Sequence, residues 1–391
     1  MSVAAETRSD KFNTGKVVLM ASAHAMHDTY SGFLPALLPL LIQKFTLTNT
    51  TAGLLSLFYN LPSLLQPLIG RLADRRNMRL LIILSPAITC VAMSCLGIAP
   101  STGFLIFLLV ISGLSSASLH ATGPVVSSVN SGSKLGRGMS LWMMGGELGR
   151  SLGPLLVVTA VGYIGLKGLP WLALAGILVS IFLGVKLASL STRSEKVKDD
   201  DRVKVKFREV SRIFLPLAVL IIARSLMAAL FTTFLPTYLT SEGSTLWVAG
   251  ASLSIMQIAS VPGTLITGTL SDRLGRKRML VISYVLTPIL TFLFIQIKGF
   301  WQIPLLILIG IVGISIIPVF MAIILESFPG NRSFANGIYM AFNFILQSVA
   351  ILAAGKMADV FGMRLTFLIA AGLFPLGLPF IFMLPKSAQK Q

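Results

Sequence analysis

The sequence predicts an all-α membrane protein with twelve transmembrane helices in two pseudo-symmetric six-helix bundles. Of its 391 residues, 54% are hydrophobic and 12% are charged, and the mean hydropathy is +0.85. A soluble protein carries about 25% charged residues. Apolar runs near the ~20 residues that cross a bilayer as a helix recur along the whole chain. These runs are continuous, whereas the strands of a membrane β-barrel alternate apolar and polar positions.

Each half of the chain holds six apolar segments, and a charged segment separates the halves. Residues Met1–Gly15 are polar and precede no cleavage site, so the first span is predicted to be an uncleaved helix. We expect a bundle in 1–188, a cytoplasmic linker in 189–210 and a second bundle in 211–391. Six plus six spans is the organisation of a duplicated transporter. The predicted spans are 16–42, 50–72, 79–98, 102–127, 136–162, 167–188, 211–240, 246–270, 278–297, 301–326, 332–357 and 364–384.

The basic residues are distributed unevenly between the two sides of the predicted membrane. The chain has 32 Lys and Arg against 14 Asp and Glu, a net charge of +18. Most of them lie in alternate loops and the linker, and the opposite loops hold Lys44, Lys167, Lys298, Lys356 and Arg364. This positive-inside asymmetry predicts that both termini are cytoplasmic. A nucleic-acid-binding protein would gather its basic residues on one surface, so no nucleic-acid partner is expected.

The sequence lacks the motifs of catalytic and cofactor-binding proteins. Cys90 and Cys95 lie in the third predicted span without metal-ligand spacing. There is no nucleotide-binding phosphate loop, no nucleophile elbow and no zinc-binding HExxH. We therefore expect no enzymatic activity, no cofactor and no metal. Energy for transport would come from an ion gradient or from the gradient of the substrate.

Two predicted cytoplasmic turns carry the same pattern at matching places in the two halves. The glycine would let two helices approach closely, the Asp can accept hydrogen bonds at a helix N-terminus, and the basic residues suit the anionic cytoplasmic surface. Any tight cytoplasmic turn collects basic residues, but that explanation accounts poorly for two copies. The copies read Gly70-Arg-Leu-Ala-Asp74-Arg75-Arg-Asn77 and Gly268-Thr-Leu-Ser-Asp272-Arg273-Leu-Gly275-Arg276.

Both turns resemble the cytoplasmic signature of the major facilitator superfamily, Gly-x-Leu-Ala-Asp-Arg-x-Gly-Arg followed by Arg or Lys. The first copy departs from it at Asn77, where the family prefers glycine. The resemblance implies the superfamily fold and makes the motif a conformational latch for the outward-facing state, without substrate contact. The residues that it assigns to the latch are Gly70, Asp74, Arg75, Gly268, Asp272, Arg273, Arg276 and, ending the tenth span, Glu326.

Three further segments are similar to the fosmidomycin resistance branch of that superfamily. The sequence departs from the branch at His120-Ala121-Thr122, where the branch has His-Pro-Glu. The glycines of the fifth span have the small-residue spacing that packs helices closely, and with Pro154 they resemble the Gly-Pro motif of proton-coupled drug antiporters. The segments are His24-Ala-Met-His27-Asp28, Gly145-Gly146-Glu147-Leu-Gly149-Arg150-Ser-Leu-Gly153-Pro154 and Glu326-Ser-Phe-Pro329-Gly330.

Ionisable residues inside the spans are the first functional candidates, because a charge in hydrocarbon costs at least ~2.5 kcal/mol. His24 and Asp28 lie four residues apart and share a helix face. The superfamily resemblance places spans 1, 4, 7 and 10 around a cavity. Structural hydrogen bonds, or a neutralising pair of Glu147 with Arg150, are the alternative interpretations. The proton-coupling candidates are His24, Asp28, His120 and Glu147.

Other polar residues within the spans are candidates for contacts with a substrate. Arg224 has no acidic residue near it in sequence, so we expect an anionic substrate or a distant carboxylate beside it. Polar side chains also join membrane helices by hydrogen bonds, which is the alternative for each candidate. The set is Arg224, Arg150, Tyr30, Gln257, Asn343 and Gln347.

These features predict a proton-coupled efflux transporter in the inner membrane of a bacterium. It would export a small toxic or drug-like compound, anionic compounds included, by alternating access. A proton-linked uptake symporter for a small organic anion is the alternative, and a membrane sensor is disfavoured because no signalling domain accompanies the spans. The expected partners are the substrate, protons and the lipid bilayer, and the resemblance implies a monomer.

Overall fold

The computed structural model describes residues 12–75, 77–132, 134–187, 207–327 and 332–384. Within these ranges the chain is helical and contains no strand. Short 3₁₀ and π-helical segments join several of the helices. The α-helices are α1 (Thr14–Ser31), α2 (Phe33–Phe45), α3 (Asn49–Asn60), α4 (Gln66–Arg75), α5 (Arg79–Ser94), α6 (Thr102–Val129), α7 (Leu135–Gly168), α8 (Ala173–Lys186), α9 (Phe207–Ala229), α10 (Leu235–Ser241), α11 (Leu246–Leu274), α12 (Arg276–Gln296), α13 (Gln302–Ile309), α14 (Ile317–Ser327), α15 (Arg332–Phe361), α16 (Met363–Leu373) and α17 (Leu378–Met383).

The helices follow the predicted membrane spans, with two differences in continuity. Ten stretches of the described chain are long and apolar enough to cross a membrane. One of them, Gly136–Lys186, contains the fifth and sixth predicted spans, which a kink at Gly165 (φ +66°) separates. The first predicted span is divided at Gly32 into α1 and α2. The all-α membrane fold is confirmed: the ten stretches hold eleven of the predicted spans, and α1 with α2 fits the twelfth.

The chain groups into two compact units. Unit 1 comprises Met1–Leu34 and Phe58–Val197, and unit 2 comprises Pro35–Leu57 and Lys198–Gln391. The predicted linker 189–210 lies largely outside the described residues, which resume at the first residue of α9.

In unit 1, α1 and α7 pack closely along a row of glycines. The glycines of α7 lie four residues apart, so they fall on one face of the helix. Because they carry no side chain, the backbones of the two helices come into direct contact. A Cβ atom would overlap the carbonyl of Ala21 at Gly145, that of Ala25 at Gly149 and that of Thr29 at Gly153.

In unit 2, Asp359 near the end of α15 holds the N-terminus of α3. Its carboxylate accepts hydrogen bonds from the backbone amides of Asn49 at 2.7 Å and Thr50 at 2.9 Å. The hydroxyl of Thr50 donates a third, at 2.5 Å. The first amides of a helix lack partners within the helix, and the helix dipole favours an anion beside them. This carboxylate therefore fixes α3 beside α15.

Large aromatic side chains remain exposed at helix ends that the charge pattern assigns to the outside of the membrane. Tyr163 is 88% exposed, and Trp171, Trp247, Phe300 and Trp301 are exposed as well. Trp and Tyr concentrate where lipid headgroups meet the hydrocarbon core. The exposed aromatic residues are therefore typical of a protein surrounded by lipid.

We expect Gly149→Ala to destabilise the protein, because the added Cβ would overlap the carbonyl of Ala25. Overpacking of a close contact costs about 1–3 kcal/mol. Gly162→Ala on the same helix is the matched control, since no described atom lies within 4 Å of its Cβ position. The melting temperature of the two purified variants tests the difference. Equal melting temperatures would contradict the proposed role of the glycine row.

Candidate functional site

Asp28 lies at the centre of a cluster of basic side chains in unit 1. Its side chain is buried, with 2% exposed, and all three histidines of the chain surround it. A buried carboxylate destabilises a fold unless it is paired and hydrogen-bonded in this way. The distances from its oxygens are 3.3 Å to His24 Nε2, 2.9 Å to His27 Nδ1, 3.4 Å to His120 Nε2 and 3.5 Å to Arg150 Nε.

Three helices of unit 1 build this cluster. His24 and Asp28 are one turn apart on α1 and therefore face the same side, and His120 comes from α6. Gly146 on α7 leaves the space that the His24 ring fills, because a Cβ there would overlap that ring. The close packing of α1 on α7 thus determines where the imidazole can lie.

Trp142 fixes the orientation of the His24 ring. The imidazole stacks on the indole with 3.9 Å between ring centroids, and its Nδ1 lies 2.9 Å from the Trp142 carbonyl oxygen. A carbonyl only accepts hydrogen bonds, so Nδ1 carries the hydrogen. Nε2 then faces the Asp28 carboxylate, and that contact is favourable only when a proton lies between them. The His24–Asp28 pair can therefore hold one exchangeable proton.

Arg150 links the buried cluster to Glu147. Its Nε lies 3.5 Å from Asp28 Oδ2, and its Nη2 lies 2.5 Å from Glu147 Oε1. One guanidinium thus bridges two carboxylates. The side chains of Arg150, Glu147 and His120 are 48%, 40% and 31% exposed. The cluster therefore extends from the buried Asp28 to side chains that are partly exposed.

The same residues offer possible metal ligands. Ligand atoms of His24, Asp28 and His120 all lie within 4.8 Å of one another, and imidazole and carboxylate are both ligands of Zn²⁺. The guanidinium of Arg150, however, already places a positive charge 3.5 Å from this carboxylate. That charge opposes a divalent cation, so the cluster is better suited to exchanging protons than to holding a metal.

Arg224 is the buried charge of unit 2. Its side chain is 6% exposed, and its Nη2 lies 3.5 Å from the backbone oxygen of Ile314. Its Nε has no hydrogen-bond partner in the described part of the chain. No carboxylate among the described residues forms an ion pair with it. Ile314 ends a π-helical segment, Gly310–Ile314, and such segments interrupt the regular hydrogen bonding of a helix.

The remaining substrate candidates have different surroundings. Tyr30 is buried in unit 1, and its hydroxyl donates a hydrogen bond to the Leu172 carbonyl at 2.5 Å. A substrate would reach this hydroxyl only after that bond breaks. Gln257 on α11, and Asn343 and Gln347 on α15, are partly buried residues of unit 2.

The second copy of the cytoplasmic motif forms a network of charged side chains around Arg276. Its Nη1 lies 2.5 Å from Asp272 Oδ1, and its Nη2 lies 2.8 Å from Glu326 Oε1. Arg273 is exposed. Gly275 has φ +94°, a conformation that favours glycine. The network connects the turn between α11 and α12 to the end of α14.

The first copy has a different turn. The side chains of Asp74 and Arg75, both assigned to the latch, lie outside the described residues. Asn77 takes the place of Gly275, and Thr46 is the one described non-glycine residue with positive φ, so Asn77 does not adopt the glycine conformation. Asn77 therefore differs from Gly275 in backbone conformation as well as in residue type.

The described residues show no close helix contact at the motif glycines. No described atom lies within 4 Å of a Cβ placed at Gly70 or at Gly268. Close approach at Gly70 and Gly268 therefore stays a prediction, which the described residues do not show in this conformation. Close approach occurs instead at the α1–α7 contact.

Two members of the Asp28 cluster were missed by reasoning from the sequence. Neighbouring residues on a helix point in different directions, so His27 was not expected to reach Asp28, yet its Nδ1 lies closer to the Asp28 carboxylate than His24, His120 or Arg150 does. Trp142 resembles any apolar residue of a span. The sequence signal that could have identified Trp142 is its position one helical turn before Gly146, which places both residues on the same face of α7.

The fold and the cluster define a polytopic membrane transporter built from two helical units. The sequence profile of the Major Facilitator Superfamily matches residues 19–319 and 217–391. The chain belongs to this superfamily, whose members are transporters and not enzymes.

Relatives and solved structures agree with this assignment. The fosmidomycin resistance protein of Escherichia coli (strain K12) is 26% identical over 99% of this chain and 97% of its own length. The multidrug resistance protein MdtG of Salmonella paratyphi C is 19% identical, over 86% of this chain and 87% of its own. A bacterial homolog of the human lysosomal transporter Spinster, inward-facing and occupied, has a TM-score of 0.79 at 12% identity, covering 95% of this chain and 96% of that one.

We expect Tyr30→Phe to lower the melting temperature, because the partly buried Leu172 carbonyl would lose its donor. An unsatisfied buried polar group costs about 1–3 kcal/mol. Tyr163→Phe, at a residue that is 88% exposed, is the matched control and should leave the melting temperature unchanged. If Tyr30→Phe weakens substrate affinity and leaves the melting temperature unaltered, the hydroxyl contacts substrate and not Leu172.

Proposed function

We propose that this superfamily member is a proton-coupled efflux transporter that exports a small toxic or drug-like compound by alternating access. The observation that carries the proposal is the buried Asp28 carboxylate, which lies 3.3 Å from His24 Nε2 and is surrounded by His27, His120 and Arg150. The names of its relatives, a fosmidomycin resistance protein and a multidrug resistance protein, support efflux. Both termini would be cytoplasmic, and one chain would be the transporting unit.

The cluster suggests how proton binding would be linked to a change of contacts. Arg150 is shared between Asp28 and Glu147. A proton taken up by Asp28 neutralises the carboxylate, which weakens its attraction for the guanidinium. Arg150 is then held by Glu147 alone and is free to move away from α1. Proton uptake from the periplasm would in this way alter the contact between α1 and α7.

A second candidate function is proton-linked uptake of a small organic anion. It is favoured by Arg224, a buried cation without a carboxylate partner among the described residues. A deletion strain distinguishes the two directions. Sensitivity to a toxic compound, with fosmidomycin as the first to be tested, supports efflux, whereas failure to grow on an organic anion supports uptake.

Asp28→Asn should abolish proton-driven transport while the protein still binds its substrate. The change removes the titratable group and keeps nearly the same size, and the amide can still form hydrogen bonds. Transport into proteoliposomes under an imposed pH gradient measures coupling, and substrate exchange without a gradient serves as the control for binding. Full transport with an unchanged pH profile would show that Asp28 is structural and that coupling takes place elsewhere.

Asp272→Asn and Glu326→Gln should shift the balance between inward- and outward-facing states, because each removes a carboxylate partner of Arg276. Asp74→Asn is expected to act likewise in the first copy of the motif. Labelling of cysteines introduced at the periplasmic ends of spans one and seven reports the shift. The control is Arg278→Gln, because Arg278 is exposed and lies two residues from Arg276. Identical labelling rates in all variants would refute the latch.

A further inference from the structure

A small cavity lies within unit 2 between α9, α12 and the π-helical segment Gly310–Ile314. Its lining includes Arg224, Met227, Phe231, Thr287, Gly313 and Phe374. Most of this lining is apolar. Two buried polar atoms of the lining residues have no hydrogen-bond partner among the described residues, namely Arg224 Nε and Thr287 Oγ1.

Thr287 behaves differently from the threonine one turn later on the same helix. Thr291 donates its hydroxyl to the backbone oxygen of Thr287 at 2.8 Å. Thr287 forms no such bond with its own preceding turn, although its side chain is only 1% exposed. A Cβ at Gly313 would lie 3.0 Å from the Thr287 hydroxyl oxygen, so a side chain at this position would crowd the hydroxyl. Thr287 thus brings a buried donor without a described partner to the lining of the cavity.

Arg224 supplies the charge on the other side of this cavity. A guanidinium stays protonated at any working pH, so inside a membrane it needs an anion. Its contact with the Ile314 oxygen, at 3.5 Å, is longer than a good hydrogen bond. Among the described residues, the lining of one cavity therefore combines a positive charge without a carboxylate partner and a hydroxyl without a hydrogen-bond partner.

We propose that this cavity binds a single anionic group between Arg224 and Thr287. The guanidinium and the hydroxyl both donate, which complements a ligand that only accepts. The group is either a free monovalent inorganic anion or the anionic end of a transported compound, and only the second source rests on the proposed function. The apolar lining favours weakly hydrated anions such as bromide and nitrate, because sulfate and fluoride lose more on dehydration.

The test uses the purified full-length protein in a gluconate buffer, with sodium bromide, nitrate or sulfate titrated at constant ionic strength. A bound anion stabilises the folded state in a saturable manner. We expect bromide and nitrate to raise the melting temperature to a plateau, and sulfate to have little effect. An identical, unsaturated response to all three salts, or no response, would overturn the inference.

Single-residue variants identify the site. Thr287→Val keeps the shape and removes only the hydroxyl, so bromide affinity should fall about tenfold or more. Arg224→Lys should weaken affinity as well, because the planar fork of donors is lost. Thr291→Val, on the same helix but outside the cavity lining, is the matched control and should keep the parent affinity. A Thr287→Val protein with a higher melting temperature and unchanged bromide affinity would refute the role of the hydroxyl.

A competition experiment then distinguishes the two sources of the anion. A transported compound that displaces bromide supplies the anionic group itself, whereas a compound that leaves bromide affinity unchanged assigns the cavity to the inorganic anion. Because these measurements involve no transport, their failure would leave proton coupling at Asp28 untouched. Equally, a failed test of proton coupling would not contradict the proposed anion site.

Discussion

The burial of the Asp28 carboxylate is the constraint on which the rest of unit 1 depends. A charge in a low-dielectric interior destabilises a fold unless charges and hydrogen bonds compensate it. The compensation comes from three helices, with His24 and His27 on α1, His120 on α6 and Arg150 on α7. The glycine row of α7 allows the backbones to come close enough for these contacts. Packing and electrostatics in this unit therefore support each other.

The buried charge of unit 2, Arg224, has far fewer partners than Asp28 in unit 1. Asp28 has several positively charged or protonatable partners, whereas Arg224 meets a backbone oxygen and no carboxylate among the described residues. A π-helical segment brings that oxygen, from Ile314, to the guanidinium. A group with partners that can be exchanged suits proton transfer, and a cation without a fixed partner suits an anionic ligand. The proposals for the two units follow from this difference.

The sequence predicted part of the Asp28 cluster. The spacing of His24 and Asp28 was sufficient to place them on one helix face, because the helical repeat is a local property. The spacing of Glu147 and Arg150 likewise predicted a pair, but it did not indicate that Arg150 also reaches Asp28. The link between these two pairs depends on how closely α1 and α7 pack, and no spacing within either helix contains that information.

By itself, the sequence determined the apolar spans and the recurrence of one charged turn, and it predicted a division of the spans into six plus six. These properties follow from hydropathy and residue order along the chain, so a local pattern is enough to predict them. Only the tertiary structure decided that Trp142 orients His24, that α1 and α7 meet along the glycines of α7, and that Thr287 shares a cavity with Arg224. Each of these facts depends on which helix faces lie opposite each other, and that is decided by the packing of residues far apart in sequence.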